Sequence, residues 1–246
     1  MRNIANWRPT KYVQTEGGLR ASRDPARVAI ESRLIADVAA AHYERALRQH
    51  ASGELLDLGC GNVPLFASYR DLITRSVCAD WLNTLHKNDL LDVVVDLTQK
   101  LPFSDSSFDT VLLTDVLEHI AEPMQLVREV ARVMRAGGKG IFGVPFLYWL
   151  HEEPHDYYRY TRFALQRFCE QSSLTVLELY AYGGLPEVMV DLASKGLGAM
   201  PGAIASLKRP VQSIGAGICR LPLGKKLSKW TAEQFPLGYI LVARKA

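Results

Sequence analysis

Leu55-Leu56-Asp57-Leu58-Gly59-Cys60-Gly61 is the stretch of sequence that decides the fold. The apolar run that ends at Leu58 is followed at once by two glycines separated by a single residue. This pattern is typical of a buried strand that ends in a tight turn, because glycine lets the backbone turn sharply and approach a ligand closely. In an open α/β sheet, ligands bind beyond the ends of such strands. The loop Asp57–Gly61 is therefore predicted to be a ligand-binding turn.

Further apolar segments on both sides of this loop predict the rest of a sheet. A helix is predicted to begin at Asp24-Pro25, since Asp caps helices and Pro suits the first turn. Another begins at Pro123 and ends at Gly137-Gly138. Strands that alternate with helices indicate a doubly wound, mainly parallel α/β sheet of seven strands. The predicted strands are 54–58, 76–79, 92–96, 110–114, 140–145, 175–180 and 239–243.

Length and composition fit one such domain with additions. The chain has 246 residues, is 48% hydrophobic and carries a net charge of +3, which is ordinary for a globular protein. Its four cysteines form no CxxC pair, which argues against a zinc ribbon or redox dithiol and favours a reducing compartment. No secretory signal and no apolar run of spanning length is visible, so a cytoplasmic protein is expected.

The sequence divides into four parts. Residues 1–50 are predicted to form an N-terminal helical cap and residues 51–182 the α/β core. Residues 183–236 are predicted to form a basic, apolar helical insertion, and residues 237–246 the final strand of the core sheet.

The insertion has an unusual charge pattern. Its stretch from Leu192 to Ala232 contains seven Lys or Arg residues and no Asp or Glu. Cations mixed with apolar residues are typical of a segment that lies on an anionic membrane surface. A solvated helical lid that packs on the sheet is the alternative interpretation. Nucleic-acid binding is not expected, because Trp230 is the only aromatic residue there and base stacking needs several.

Acidic residues follow the next two predicted strands. Asp80 stands where a carboxylate can accept both hydroxyls of a ribose, and Asp96 stands where one can accept from an adenine amine. A dinucleotide site would place a third glycine at position 64, but the residue there is Pro64. Proline lacks the N–H that a pyrophosphate would use. An NAD-dependent oxidoreductase is therefore an alternative class of enzyme that Pro64 argues against.

Four motifs, in this order, resemble those of class I S-adenosylmethionine-dependent methyltransferases, in the subgroup with an LEH segment after the fourth strand. They are LLDLGCG (Leu55–Gly61), CADW (Cys78–Trp81), VVVDLTQKLPFSDSSFDTVLLTDVLEHI (Val93–Ile120) and LVREVARVMRAGGKGIFGVP (Leu126–Pro145). The resemblance implies a Rossmann-like methyltransferase fold, S-adenosyl-L-methionine as the cofactor and methyl transfer as the reaction. A non-catalytic member that binds the cofactor as a module is a further alternative.

The resemblance also implies which residues bind the cofactor, since each motif ends at the same edge of the sheet. The implied contacts are Asp57, Gly59, Cys60 and Gly61 at the methionine end, Asp80 at the ribose, Trp81, Asp96 and Leu97 around the adenine, and Thr114 and Asp115 at the sulfonium.

The loop PFLYWLHEEPHDYYRYT, residues 145–161, is the predicted acceptor site. Eleven of its seventeen residues are His, Glu, Asp, Tyr, Arg or Trp, a composition typical of a substrate-binding loop at the end of a strand. A hydroxyl acceptor benefits from a general base with a pKa near neutrality. His155 is the first candidate and His151 the second, with Asp156 to orient a histidine and Arg159 to hold an anionic group.

Two alternatives limit this interpretation of the loop. Its Tyr and Arg residues could instead knit the loop to the sheet, with Thr161 capping the next helix. A metal ion could bind near the site, but no ligand spacing compels one, so no metal is predicted.

The segment HEEPHDYYRYT also resembles a branch of bacterial methyltransferases associated with surface-polysaccharide and glycolipid assembly. This second resemblance implies a small-molecule, sugar or lipid-linked hydroxyl as the methyl acceptor. Together with the basic insertion, it implies a cytoplasmic protein with a peripheral contact at the inner membrane surface.

Overall fold

The computed structural model describes residues 1–82 and 89–246, and the strands of these residues form two sheets. A small antiparallel hairpin comes first, and a seven-stranded sheet follows in the order β5-β4-β3-β6-β7-β9-β8. All strands of the large sheet run parallel except β9, which is antiparallel to both of its neighbours. The strands are β1 (Tyr12–Thr15), β2 (Gly18–Ala21), β3 (Glu54–Leu58), β4 (Arg75–Asp80), β5 (Val93–Val94), β6 (Phe108–Thr114), β7 (Met134–Pro145), β8 (Leu174–Tyr182) and β9 (Gly238–Lys245).

Helices cover both faces of the large sheet. One apolar core lies beneath α1 and α2, and a second lies beneath α3 and α4. Strand β3 explains the two cores, because Leu55 points into one and Leu56 and Leu58 into the other. The helices are α1 (Arg33–His50), α2 (Phe66–Tyr69), α3 (Pro123–Val133), α4 (Arg162–Gln171), α5 (Leu185–Gly198), α6 (Lys208–Arg220) and α7 (Pro222–Thr231).

This architecture confirms the predicted α/β fold with a mainly parallel seven-stranded sheet. The helix predicted at Asp24-Pro25 is wrong, because Asp24 uses its carboxylate to accept from the backbone N–H of Ala26 at 2.9 Å, and α1 begins only at Arg33. Residues 1–50 also contain the β1–β2 hairpin. The sequence predicted only a helical cap for this part of the chain.

Helix α3 ends earlier than predicted. It stops at Val133, and β7 starts at Met134, opposite Phe108. The strand pairing then shifts register before it resumes at Thr110. Gly137, at φ +78°, lies in this irregular stretch. Gly137-Gly138 therefore lies in a bulge within a long strand and does not end a helix.

The segment between β8 and β9 folds as α5, α6 and α7. The helices pack closely, since a Cβ on Gly215 of α6 would lie 2.5 Å from Cγ2 of Val190 on α5. Among the described residues, no helix is both long and apolar enough to cross a bilayer. Ion pairs tie three cations of the segment down: Lys195 to Asp191 at 2.7 Å, Lys208 to Glu31 at 3.1 Å and Arg220 to Asp37 at 3.0 Å.

Candidate active site

The turn after β3 shows why glycine is needed at two positions. Gly59 and Gly61 have φ values of +65° and +48°, in the left-handed region. A Cβ on Gly59 would lie 2.5 Å from Cγ2 of Val116, so the loop packs tightly there. A Cβ on Gly61 would meet no atom of residues 1–82 or 89–246 within 4 Å. The loop is thus close-packed at Gly59, where a side chain would not fit.

Two buried carboxylates flank this turn. Asp80 accepts hydrogen bonds from the N–H groups of Gly61 and Trp81, both at 2.8 Å. Asp57 accepts one from the hydroxyl of Tyr69 at 2.9 Å. Burial raises the pKa of Asp57 to about 7, and the nearby charge of Asp80 adds to the rise.

The predicted adenine contacts lie further along the same edge. Asp96 is exposed and accepts from the backbone N–H and the hydroxyl of Thr98 at 2.9 and 2.6 Å, bonds that lower the pKa of Asp96. Leu97 is buried, whereas Trp81 is 39% exposed and its ring meets that of His155 at 5.5 Å. The edge therefore offers one buried apolar side chain and one exposed aromatic face.

Asp115 occupies a strained position directly after β6 and Thr114. Its φ of +53° is uncommon for a residue with a side chain, and such outliers cluster at functional sites. The carboxylate accepts from the hydroxyl of Tyr43 at 2.6 Å and pairs with the Lys11 ammonium at 3.1 Å. Both partners come from the first 50 residues, so the N-terminal segment holds Asp115 in place.

A cavity of about 280 Å³ opens beside Asp115. The hairpin, residues 27–32, α1, the segment after β6, the loop after β7, Tyr182 and Leu237 contribute to its walls. Its polar lining includes Lys11, Asp115, Glu118, His119, Tyr148 and His151.

Within the predicted acceptor loop, the structure separates the two histidines. His151 lines the cavity, and its Nδ1 lies 3.2 Å from a carboxylate oxygen of Asp156. Burial and the neighbouring His119 lower the pKa of His151, so the imidazole is neutral at neutral pH. His155 is not among the described residues that line this cavity, and its ring lies instead against Trp81.

Arg159 and Asp156 stabilise the loop itself. Arg159 donates to both oxygens of Asp156 at 2.6 and 2.7 Å, which holds the pKa of Asp156 well below its usual range. Arg159 also donates to the carbonyl oxygens of Tyr148 and Trp149 at 3.2 and 2.7 Å. The guanidinium therefore knits the loop together, as the alternative interpretation of the loop expected; that Arg159 also holds an anionic group stays a prediction. Thr161 caps α4 as predicted, by accepting from the N–H of Ala164.

The residues at the strand ends fit S-adenosylmethionine by their chemistry. Asp57 is buried, and no Lys or Arg within residues 1–82 and 89–246 forms an ion pair with it. A cationic ligand would supply that missing charge. Asp80, on the adjacent strand, offers a carboxylate fixed by two backbone bonds for a ribose diol.

Sequence comparison then names the domain. The family profile described as "Methyltransferase domain" matches residues 56–142, the stretch from β3 into β7. Residues 56–142 of the core are therefore similar to class I methyltransferase domains. Domains of this class use S-adenosylmethionine as the methyl donor, in agreement with the chemistry of the strand ends.

Curated relatives match 105 to 113 residues of this chain. The 27-O-demethylrifamycin SV methyltransferase of Amycolatopsis mediterranei is 30% identical over 38% of this chain and 39% of its own length. The ubiquinone biosynthesis O-methyltransferase of Xanthomonas oryzae pv. oryzae is 30% identical over 39% of this chain and 45% of its own. The uncharacterized protein MJ1123 of Methanocaldococcus jannaschii is 29% identical over 44% and 55%. The chain thus spans about half, or less, of these relatives.

Solved structures extend the likeness to most of the fold. A SAM-dependent methyltransferase from Archaeoglobus fulgidus has a TM-score of 0.56 at 14% identity and covers 87% of this chain and 97% of that one. The [4+2]-cyclase SpnF has a TM-score of 0.53 at 17% identity, with 96% and 86% covered. The shared fold therefore accommodates more than one chemistry.

Sequence reasoning missed the N-terminal contribution to the methyltransferase site. Lys11 and Tyr12, on the hairpin, and Tyr43, on α1, reach the region of Asp115. The Gly17-Gly18 pair between two short segments is a hairpin signal that could have been recognised. The contact of Tyr43 with Asp115, 72 residues apart, has no comparable local signal.

Proposed function

We propose that the chain transfers a methyl group from S-adenosyl-L-methionine to a hydroxyl of an acceptor held in the cavity beside Asp115. The observation that carries this proposal is the position of the cavity. It adjoins the end of β6, next to the turn where the domain class binds its cofactor, and it is lined by titratable side chains. The O-methyltransferase names of two relatives support an oxygen acceptor.

The chain contributes position and electrostatics to this reaction. When bound, S-adenosyl-L-methionine supplies an electrophilic methyl group on a cationic sulfur. Asp57 and Asp80 would hold its polar groups, and Asp115 would place a negative charge near the sulfonium. The cavity walls would align the hydroxyl with the methyl carbon, and such alignment supplies much of the rate in displacement reactions.

A loop histidine assists loss of the hydroxyl proton. The geometry favours His151 over His155 for this role, since only His151 is among the described residues lining the cavity. Asp156 accepts from the backbone N–H of His151 at 2.9 Å, and its Oδ2 also lies 3.2 Å from Nδ1 of the ring, so Asp156 helps to position this histidine.

The proposed acceptor is a small molecule or the terminal unit of a glycan or lipid-linked sugar. A cavity of about 280 Å³ is close to the lower end of the range for small-molecule sites, roughly 300 Å³. Such a volume suits one ring of an acceptor rather than a long oligosaccharide, and the rest of a larger acceptor would remain outside.

Labelled cofactor and fractionated cell extract test this proposal. Label should enter a small-molecule, glycan or lipid pool, and the product should lose its label only under conditions that cleave methyl ethers. Cofactor binding without transfer to any pool would favour a non-catalytic module. Absence of cofactor binding at millimolar concentration would contradict the proposal outright.

We also propose that α6 and α7 contact an anionic membrane surface. Ile214, Ile218 and Leu223 are each more than half exposed, and Trp230 is 74% exposed. The exposed Lys225, Lys226 and Lys229 alternate with these apolar side chains. Apolar side chains and lysines on one short segment are what an interfacial helix presents to lipid headgroups.

Vesicle sedimentation tests the membrane contact. Binding should be stronger to vesicles with anionic lipid than to neutral ones, and each lysine should contribute roughly 1 kcal/mol. Reversing Lys225, Lys226 and Lys229 to Glu should abolish that preference. Reversing Arg70, Arg128 and Arg167, which are exposed elsewhere, is the matched control. If both triple variants lost vesicle binding equally, net charge alone would explain the binding, and a specific membrane-binding surface would be ruled out.

A further inference from the structure

Three metal-binding side chains converge at one corner of the cavity. Glu118, His119 and His151 each offer one ligand atom, and these atoms lie within 4.8 Å of one another. Nε2 of His119 is 3.8 Å from Oε1 of Glu118, and Nε2 of His151 is 4.0 Å from the same oxygen. All three residues line the cavity, so the cluster lies where an acceptor would bind.

The opposite ring nitrogen of each histidine is held by an acceptor. Nδ1 of His119 lies 2.8 Å from the carbonyl oxygen of His155. Nδ1 of His151 lies 3.3 Å from the carbonyl oxygen of Trp149, with Oδ2 of Asp156 at 3.2 Å and a guanidinium nitrogen of Arg159 at 3.4 Å. An imidazole that donates from Nδ1 presents a lone pair at Nε2. Metal-ligating histidines are normally oriented in this way, by a carbonyl or carboxylate on the far nitrogen.

The environment of the Glu118 side chain is a second, independent indication of a bound cation. Its side chain is fully buried, and neither carboxylate oxygen accepts a hydrogen bond from another described residue. Its backbone is fixed, because its carbonyl oxygen accepts from the N–H groups of Tyr157 and Tyr158 at 2.9 and 3.3 Å. Buried carboxylates are normally paired or bound to a cation. The carboxylate beside two imidazole lone pairs therefore lacks a cationic partner.

We propose that Glu118, His119 and His151 bind one divalent transition-metal ion at the wall of the cavity. Two imidazoles and one carboxylate suit Zn²⁺, Fe²⁺, Co²⁺ or Mn²⁺, whereas Mg²⁺ and Ca²⁺ prefer oxygen ligands alone. Ligand bonds of about 2.0–2.1 Å place ligand atoms roughly 3.4 Å apart in a tetrahedral site. The observed separations are 3.8 and 4.0 Å for the two carboxylate–imidazole pairs and within 4.8 Å for all three, so the side chains must move inward to bind an ion.

The catalytic role of the ion rests on the proposed function, methyl transfer to a hydroxyl. An ion held by three protein ligands keeps positions open for the acceptor's hydroxyl, and its charge lowers the pKa of that hydroxyl. The O–H bond breaks, the proton passes to water, and the oxygen's electron pair forms the new bond to the methyl carbon. The electron pair of the broken sulfur–carbon bond stays on sulfur. His151 then assists proton loss as a ligand of the ion, not as the base itself.

Titration of the full chain with metal alone tests the site. After treatment with a chelator, the protein should bind one Co²⁺ or Zn²⁺ by calorimetry, and bound Co²⁺ should show ligand-field absorption bands. Glu118→Gln and His151→Gln should each weaken binding by more than about 100-fold, and Asp156→Asn by about 10- to 100-fold. His155→Gln is the matched control, since its ring lies outside the cluster, and it should bind the ion as the wild type does.

Two results would overturn the inference: no stoichiometric ion at millimolar metal, or equal binding by wild type and the ligand variants. Thermal melts check that Glu118→Gln folds. If it does not, His151→Gln decides, because that side chain is on a loop and 20% exposed. Cofactor calorimetry on the same metal-free protein separates the two proposals. Cofactor binding without ion binding removes only the metal site, and ion binding without cofactor binding removes only the proposed function.

Discussion

The cofactor edge and the acceptor cavity are adjacent but are built in different ways. The cofactor edge uses the carboxyl ends of β3, β4, β5 and β6, and each residue that forms it lies at the end of a strand or in the turn that follows. The acceptor cavity joins the hairpin, α1, the segment after β6 and the loop after β7. A strand end places its side chain through the sheet alone, whereas the cavity needs several segments, distant in sequence, to meet. The difference explains why the donor is far better defined than the acceptor.

The sharpest way to test this comparison is His151→Gln. Turnover should fall by about 100- to 10,000-fold, the usual contribution of a group that assists proton transfer. Cofactor affinity should be unchanged, because the ring lies at the cavity and not at the strand ends. Single-turnover rates and calorimetry measure the two effects separately. His155→Gln is the control, and an equal loss of turnover in that variant would contradict the choice of His151.

The pH dependence of stability tests the cofactor edge. The pKa of Asp57 rises from 3.8 to about 7 on folding. Between these values the folded protein keeps a proton that the unfolded chain has lost, so stability falls as pH rises and levels off above about pH 7. The loss should be at most about 4 kcal/mol. Asp57→Asn should remove this dependence in denaturant titrations, and an unchanged pH slope in that variant would show that another group is responsible.

Asp80→Ala should weaken cofactor binding by about 100-fold, since it removes charge-assisted hydrogen bonds worth about 1.5–3 kcal/mol each. The measurement is calorimetry with S-adenosylhomocysteine. Asp71→Ala is a suitable control, because that side chain is 82% exposed. Turnover at saturating cofactor should recover in Asp80→Ala if the acceptor cavity is independent of the cofactor edge.

Asp96→Ala should have the smallest effect. Asp96 is exposed and already accepts two hydrogen bonds from Thr98. A contact to adenine there should change cofactor affinity by about 1 kcal/mol, or roughly fivefold. Comparison of adenosine with inosine derivatives would locate the change at the adenine amine. A loss as large as that of Asp80→Ala would mean that the carboxylate holds the loop rather than the ligand.

The sequence predicted correctly those elements whose structure depends on neighbouring residues alone. Strand β3 was predicted with its observed bounds, because an apolar run buried on both faces and a glycine turn define it without help from elsewhere. The start of β7 was not predicted, since Gly137-Gly138 has the same appearance at the end of a helix as in a bulge. The bulge depends on pairing with Phe108, which the segment itself does not encode.

The hairpin depends even more on distant contacts. Glu44 of α1 accepts from the N–H of Leu19 at 2.7 Å and from the amide of Gln14 at 2.8 Å. Arg48, one turn along the helix, also donates two hydrogen bonds to the Glu44 carboxylate. A two-stranded hairpin is marginal by itself and needs such packing. Because the hairpin depends on these distant contacts, the sequence alone did not place Lys11 and Tyr12 at the acceptor cavity.

Strand β9 has a consequence for how the chain is made. It lies between β7 and β8, so neither of these strands has its final neighbour until residues 238–245 have left the ribosome. Until then the nascent chain exposes two unpaired edges, and such edges are templates for aggregation. The helices α5 to α7 are synthesised in that interval and must fold beside an unfinished sheet. Chains that terminate before Gly238 should therefore be degraded or recruit chaperones rather than accumulate as a smaller enzyme.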